Sequence, residues 1–304
     1  MFDTITIKPQ YFDHSKISAL IDTLDDATVK FRKDGTMLKT GSKGHVRLFL
    51  TYGTFSVNLN LNKLLYGTNE IDAPLSSLED VLTSLEDWLG VDLHDAPVSR
   101  VDIGQTIVVT EEPYKYLELL AYCSRAKKII YKGETVAFVN GSNEALFYDK
   151  GLEMKAKKVR PLTLQQNPNL LRFEARLKKG IKQTLKVPKL TAGMLMQSDI
   201  IEKLLTFWQN SYLKICKIVR PQANIDCSDT KSFIMSLANH AVGTLGIDTV
   251  LNHIDAESRK LTGTQRHRIK QKLFQLSSFN TDGSTQVLLD ELSEKIQWIA
   301  ANAA

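Results

Sequence analysis

Leu170-Leu171-Arg172-Phe173-Glu174-Ala175-Arg176-Leu177 alternates from Leu171 onward between apolar and charged residues. In an extended chain successive side chains point to opposite faces, so this octet reads as a strand. Leu171, Phe173, Ala175 and Leu177 face a core, while Arg172, Glu174 and Arg176 line the other side. Two more stretches read the same way. In Val98-Ser99-Arg100-Val101-Asp102-Ile103-Gly104, Val101 and Ile103 oppose Arg100 and Asp102; in Ala145-Leu146-Phe147-Tyr148-Asp149-Lys150, Tyr148 and Lys150 share a face. If the three lie in one sheet, a tyrosine, a lysine and two carboxylates gather on its polar side.

Working outward, β-branched and aromatic content marks strands at Thr4–Lys8, Thr28–Lys33, Gly44–Leu50 and Thr54–Leu61. Pro97–Val109 is a strong strand, and Lys128–Lys132, Thr135–Asn140 and Glu144–Lys150 are short ones joined by the turns Lys132-Gly133-Glu134 and Asn140-Gly141-Ser142-Asn143. Ser76–Leu89 reads as a helix with a Ser76/Glu79 capping box and a Gly90 stop, and Pro113–Arg125 as a second. Beyond Lys189 the spacing turns helical, over Ser198–Val219, Thr230–Gly243, Ile247–Ile254 and Ala256–Ser277. The expected fold is α+β: a central antiparallel sheet with flanking helices over residues 1–190, then a smaller helical domain over 191–304.

The chain has 304 residues, 43% apolar and 24% charged, the composition of an ordinary soluble globular protein. It offers no run of apolar residues long enough to span a membrane, and its first residues do not form a secretion signal. Cys123, Cys216 and Cys227 fall in no metal spacing and fit reduced, mostly buried thiols of a cytoplasmic protein. Net charge is +5, unevenly spread: Glu70–Glu112 holds eleven acids and one base, Lys150–Lys189 twelve bases and two acids. The second stretch suits a polyanion or, equally, a solvated basic face. Arg172, Arg176, Lys178 and Lys179 within it, and Arg100 outside it, are candidate phosphate contacts, with Arg259-Lys260 and Arg266, Arg268 and Lys270 on a basic helix of the tail.

The tyrosine, lysine and carboxylates suit phosphodiester transesterification. A phenol ionises near pH 10, so a nucleophilic Tyr148 needs a cation such as Lys150 beside it. Asp102 and Glu174 supply hard oxygens for Mg²⁺ or Mn²⁺. A phosphotyrosine conserves bond energy, so rejoining needs no ATP, and the chain has no Walker-type phosphate loop. The bland account stays open on spacing alone: a packing tyrosine and surface ion pairs.

At these segments the chain resembles the replication initiator endonucleases of filamentous phages, the gene-two protein family, and more loosely the plasmid rolling-circle initiators. The matching stretches are Ser99-Arg100-Val101-Asp102, Tyr148-Asp149-Lys150-Gly151-Leu152-Glu153 and Leu171–Lys178, with Phe55–Gly67 ahead of them. Order and rough spacing agree from about residue 45 to residue 190. The resemblance implies a rolling-circle nickase-like fold and Tyr148 as the nucleophile of a Tyr-x-Lys-x-x-Glu motif. It implies an enzyme that nicks supercoiled origin DNA, stays on the 5′ end and leaves a 3′-OH for a host polymerase. It later cuts and circularises the displaced single strand, with the host's helicase and polymerase as partners. The chain lacks the His-x-His of the broader nickase group, so the third metal ligand is open between Glu153 and an oxygen of Asn58 or Asn60. Tyr131 is the reserve nucleophile. A non-catalytic origin-binding protein is the alternative; a tyrosine recombinase is disfavoured because its Arg–His–Arg–Tyr order is missing.

Overall fold

The computed structural model describes residues 1–69, 73–74, 76–158, 169–217, 227–245, 247–256, 260–277 and 283–302. Its strands are β1 (Phe2–Ile7), β2 (Thr28–Phe31), β3 (Met37–Lys43), β4 (Val46–Leu50), β5 (Phe55–Leu59), β6 (Val98–Val108), β7 (Leu120–Cys123), β8 (Lys127–Tyr131), β9 (Thr135–Val139), β10 (Asn143–Asp149), β11 (Leu170–Leu177) and β12 (Ile215–Lys217). Ten of them form one antiparallel sheet in the order β2-β3-β4-β5-β1-β6-β11-β10-β9-β8, and β7 pairs with β12 in a ribbon. The helices are α1 (His14–Asp22), α2 (Leu61–Tyr66), α3 (Ser77–Leu89), α4 (Pro113–Leu119), α5 (Lys150–Ala156), α6 (Ile181–Leu185), α7 (Ser198–Leu213), α8 (Thr230–Leu245), α9 (Ile247–Ala256), α10 (Gly263–Ser277) and α11 (Gly283–Asn302). The expected α+β architecture, an antiparallel sheet with flanking helices and a helical C-terminal region, is what the chain adopts.

Alternation gives the sheet two chemically different faces. Val57, Ile5, Ile7, Val101, Ile103, Phe173, Ala175 and Phe147 project to one side and are fully buried, each side chain contributing about 1.5–3 kcal/mol when it is large and apolar. Helix α7 seals this side: Trp208 stacks on Phe173 at 4.8 Å between centroids, Phe173 stacks on Phe147 at 4.3 Å, and the indole N–H donates to the Phe173 carbonyl. Leu292 and Ile296 of α11 join the same core, as do Ile17 and Ile21 of α1 and Leu78 and Leu82 of α3. Helices α9 and α10 close a separate cluster, Ile247, Leu251, Ile254 and Leu273, around Ala121 of β7.

Several local readings need correction. The Ser76/Glu79 capping box does not form, because Ser76 is itself helical in backbone and makes no side-chain cap bond; Gly90 does stop α3, at φ +66°. The helix expected over Pro113–Arg125 ends at Leu119, where the chain extends to pair with β12, and the helix expected to reach Val219 ends at Leu213 for the same pairing. Strand β3, helix α2 and helix α11 had no counterpart among the expectations. The cysteines are less buried than expected: Cys123 and Cys216 are half-buried and Cys227 is exposed. Arg160 and Arg259 lie outside the described residues.

Among the described residues no helix is long and apolar enough to cross a membrane.

Candidate active site

The three deciding stretches become neighbouring strands, and their register brings the polar residues together. Across β10, β11 and β6 the rows run Tyr148–Arg172–Thr106, Leu146–Glu174–Gly104 and Glu144–Arg176–Asp102. Eight side chains project from the face opposite the helix-covered core, and Gly104 adds none. The Tyr148 hydroxyl donates to Glu174 Oε1 at 2.9 Å. Arg172 Nε donates to the same oxygen at 3.2 Å, and Arg176 donates to Glu174 Oε2 from Nη2 at 2.7 Å and Nε at 3.1 Å. Asp102 takes a two-point bond from Arg100, Nε to Oδ1 at 2.8 Å and Nη2 to Oδ2 at 2.5 Å, with Arg176 Nε at 3.7 Å. Glu144 receives Arg176 and Lys178.

These are not the surface ion pairs of the bland account. Asp102, Arg172 and Glu174 are each no more than 2% exposed. Groups so buried must be paired to be tolerated. Arg172 is therefore not the phosphate contact expected of it: it lies beneath the site, donating to Asp3 Oδ1 at 2.8 Å, the Asn69 carbonyl at 3.0 Å and Thr106 Oγ1 at 3.1 Å. Arg100 and Arg176 are partly exposed, and Lys178 and Lys179 are exposed at the strand end, so these four remain available to a ligand.

Lys150 follows β10 as the first residue of α5, which Asp149 caps by accepting the Leu152 N–H. Its ammonium donates to Glu153 Oε2 at 2.6 Å and to Asn69 Oδ1, and the residue is 1% exposed. Burial lowers its pKa, with Glu153 opposing and Arg172 and Lys157 adding repulsion. The cation acting on the phenol is instead Arg172. Burial and the Glu174 charge push the Tyr148 pKa well above the ordinary phenol value, and Arg172 pulls it partway back. Asp102 is raised by burial, against its arginines. Asp3 is lowered: burial would raise it, but the Arg172 charge and bonds from Asn69 and Thr4 outweigh that.

The expected ligands for Mg²⁺ or Mn²⁺ do not fit an ion as they stand. Asp102 and Glu174 converge on the Arg176 guanidinium, and Glu153 is held by Lys150 and Lys157 away from them. Among the described residues no group of three or more His, Cys, Asp or Glu gathers in a metal-binding arrangement. Asn58 bonds Thr6, and Asn60 caps α2.

In the tail, Lys270 is 7% exposed and gives both its bonds to the Asp255 carboxylate, at 2.7 and 2.8 Å, so it pins α10 to α9 rather than facing DNA. Arg266 is half-buried and Arg268 exposed. Tyr131, half exposed on edge strand β8, shares the Tyr148 face, since both pair with Thr135. Two strand spacings, about 10 Å, separate them.

Reading the sequence missed Asp3, Asn69 and Gly104. Gly104 carried a signal, a glycine inside an apolar strand, where a close approach is the usual reason. A Cβ there would lie 2.5 Å from Arg172 Nη2 and 3.0 Å from Glu174 Cγ, so the missing side chain makes room for the buried guanidinium. Asp3 and Asn69 carried none, being an acid at a strand start and an asparagine after a helix.

A buried tyrosine–carboxylate pair on an antiparallel sheet, rimmed by arginines, is the setting in which the comparison with protein families falls: residues 59–201 match the model for the N-terminal region of the gene-two replication-associated protein of phages. The matched stretch runs from the end of β5 into α7. The match supports a filamentous-phage gene-two replication initiator. No curated protein matches the chain.

Proposed function

We propose that the chain nicks and rejoins single strands of replication-origin DNA through a 5′-phosphotyrosine on Tyr148. The observation that carries this reading is the 2.9 Å bond from the Tyr148 hydroxyl to Glu174 Oε1. It gives the phenol a base within proton-transfer distance. In the step proposed, the Tyr148 oxygen bonds to phosphorus and the bond from phosphorus to the 3′ oxygen breaks. The phenolic proton passes to Glu174 and then to the departing 3′ oxygen; rejoining runs the same path backwards. Arg172 stabilises negative charge on the phenol oxygen from beneath, while Arg100, Arg176, Lys178 and Lys179 attract the phosphate backbone. Helices α8–α10, with the exposed Arg268 on α10, would add grip on the origin duplex, and a host helicase and polymerase would take up the freed 3′ end.

The test is incubation with supercoiled DNA of the replicon that encodes the chain, with Mg²⁺ or Mn²⁺ supplied, followed by a denaturing gel. Wild-type protein should leave a protein–DNA band that survives SDS, and Tyr148→Phe should lose it while binding DNA with nearly unchanged affinity. One observation favours the second reading, a non-catalytic origin-binding protein: the phenol is only 9% exposed. No SDS-resistant band across the whole replicon with either metal would support that reading and overturn the first.

A further inference from the structure

Tyr148 and Lys150 are two residues apart in the chain, yet a ring of buried polar groups joins them the long way round. Lys150 Nζ donates to Asn69 Oδ1, and Asn69 Nδ2 donates to Asp3 Oδ1 at 3.0 Å. Arg172 Nη2 donates to that same Asp3 oxygen at 2.8 Å, its Nε reaches Glu174 Oε1 at 3.2 Å, and Glu174 Oε1 takes the Tyr148 hydroxyl. The ring draws on β1, the turn after α2, β11, β10 and the start of α5. Asp3 and Asn69 are 7% and 6% exposed, so neither is placed to touch DNA itself.

We infer that Asp3 is a positioning residue for this site, holding Arg172 and Asn69 together and through them fixing the Glu174 carboxylate, the Tyr148 hydroxyl and the Lys150 ammonium. Asp3 precedes the matched family segment in the chain. The inference rests on the phosphotyrosine reading for its catalytic consequence, and on the ring's geometry for the rest.

Arg172 bonds two carboxylates, and one of them, Glu174, also serves Tyr148 and Arg176. Asp3 therefore shares the guanidinium with Glu174, holding Nη2 while Glu174 takes Nε. Without it, Arg172 is drawn towards Glu174 and competes with the tyrosine hydroxyl for Oε1. The Asn69 side chain loses the acceptor that orients it, and Lys150 loses its aligned partner. Losing such alignment typically slows a reaction without weakening binding. Burial of Asp3, Asn69 and Lys150 leaves little room for water to replace the lost partner.

The experiment compares Asp3→Ala and Asp3→Asn in the full chain. Single-turnover adduct formation is measured on a single-stranded oligonucleotide spanning the mapped nick. Uniform 3-fluorotyrosine labelling supplies a ¹⁹F signal for Tyr148, assigned by its loss in Tyr148→Phe. Asp3→Ala should slow the adduct on the order of 10²-fold while oligonucleotide affinity stays within about twofold. Asp3→Asn, which keeps an acceptor oxygen, should recover part of the rate, and the Tyr148 resonance should move in both. Wild-type rate with an unmoved resonance in Asp3→Ala overturns the inference. If Asp3→Ala does not fold, Asn69→Ala cuts the same ring and takes its place with the same readouts. A Tyr148→Phe protein that still forms the adduct sinks the phosphotyrosine reading alone; the resonance then judges the positioning claim, and an unmoved signal overturns that too.

Discussion

The site depends on a residue with no side chain. Gly104 faces Glu174 across the β6–β11 pair, and the Arg172 guanidinium fills the space its Cβ would take. That guanidinium cannot retreat cheaply, since it is bonded to Asp3, Asn69 and Thr106. Gly104→Ala should therefore cost about 1–3 kcal/mol by urea denaturation, as overpacking does, and should slow adduct formation while leaving DNA affinity intact. A Gly104→Ala protein with wild-type stability and rate would show that the guanidinium has another place to go. The placement of the candidate residues was legible: alternation put Arg172, Glu174 and Arg176 on one face and Tyr148 on its own strand's polar face, and the structure joins them. Their roles were not. Whether Arg172 meets solvent or an interior depends on Asp3 and Asn69, which lie far from it in sequence, and no local pattern reports a contact between residues 3 and 172.

Among the elements, period-two strands such as Phe55–Leu59 and Leu170–Leu177 were read within a residue or two, because one buried face leaves a clear imprint. Strand β3 left none: Met37-Leu38-Lys39-Thr40-Gly41-Ser42-Lys43 puts a lysine on its core side, where Lys39 bonds Ser18 and Asp22 of α1. Strands β7 and β12 failed differently, as helix-like stretches that tertiary pairing draws into a ribbon. Helix α7 shows what packing adds to periodicity. Trp208→Ala should cost about 3–5 kcal/mol in a denaturant titration, since it opens a cavity against Phe173. Loss of less than about 1 kcal/mol would mean that α7 does not seal the sheet as described. Helix α3 carries a pH-dependent tie to the loop ahead of β6: His94 Nδ1 lies 2.8 Å from Glu86 and Nε2 3.1 Å from Glu79. Burial would lower the His94 pKa, but the bonds and charges of the two glutamates outweigh it and raise it. A raised histidine pKa gives stability that is complete below the unfolded value of about 6.5 and lost as pH climbs through the folded one. The Tm gap between wild type and His94→Gln should accordingly be wider near about pH 6 than at about pH 9. A gap that does not change with pH would contradict the tie.

Across the whole molecule, the polar face of the sheet and the basic tail helix are the two surfaces a DNA-handling protein would use, and they call for opposite expectations at residues that look alike in sequence. Lys270→Ala should lower thermal stability, because it releases Asp255 and loosens α10, while changing the salt dependence of DNA binding little. Arg268→Ala should do the reverse, weakening binding across sequences and reducing the slope of log affinity against log salt by about one. Equal effects from the two would mean that α10 presents a different face to DNA. The central claim, that the phenol of residue 148 becomes bonded to a 5′ phosphate, is tested most directly by trapping the protein on nicked DNA, digesting both, and sequencing the nucleotide-bearing peptide by mass spectrometry. The account predicts one modified peptide, with the nucleotide on Tyr148. A nucleotide on Tyr131 or any other residue would contradict it.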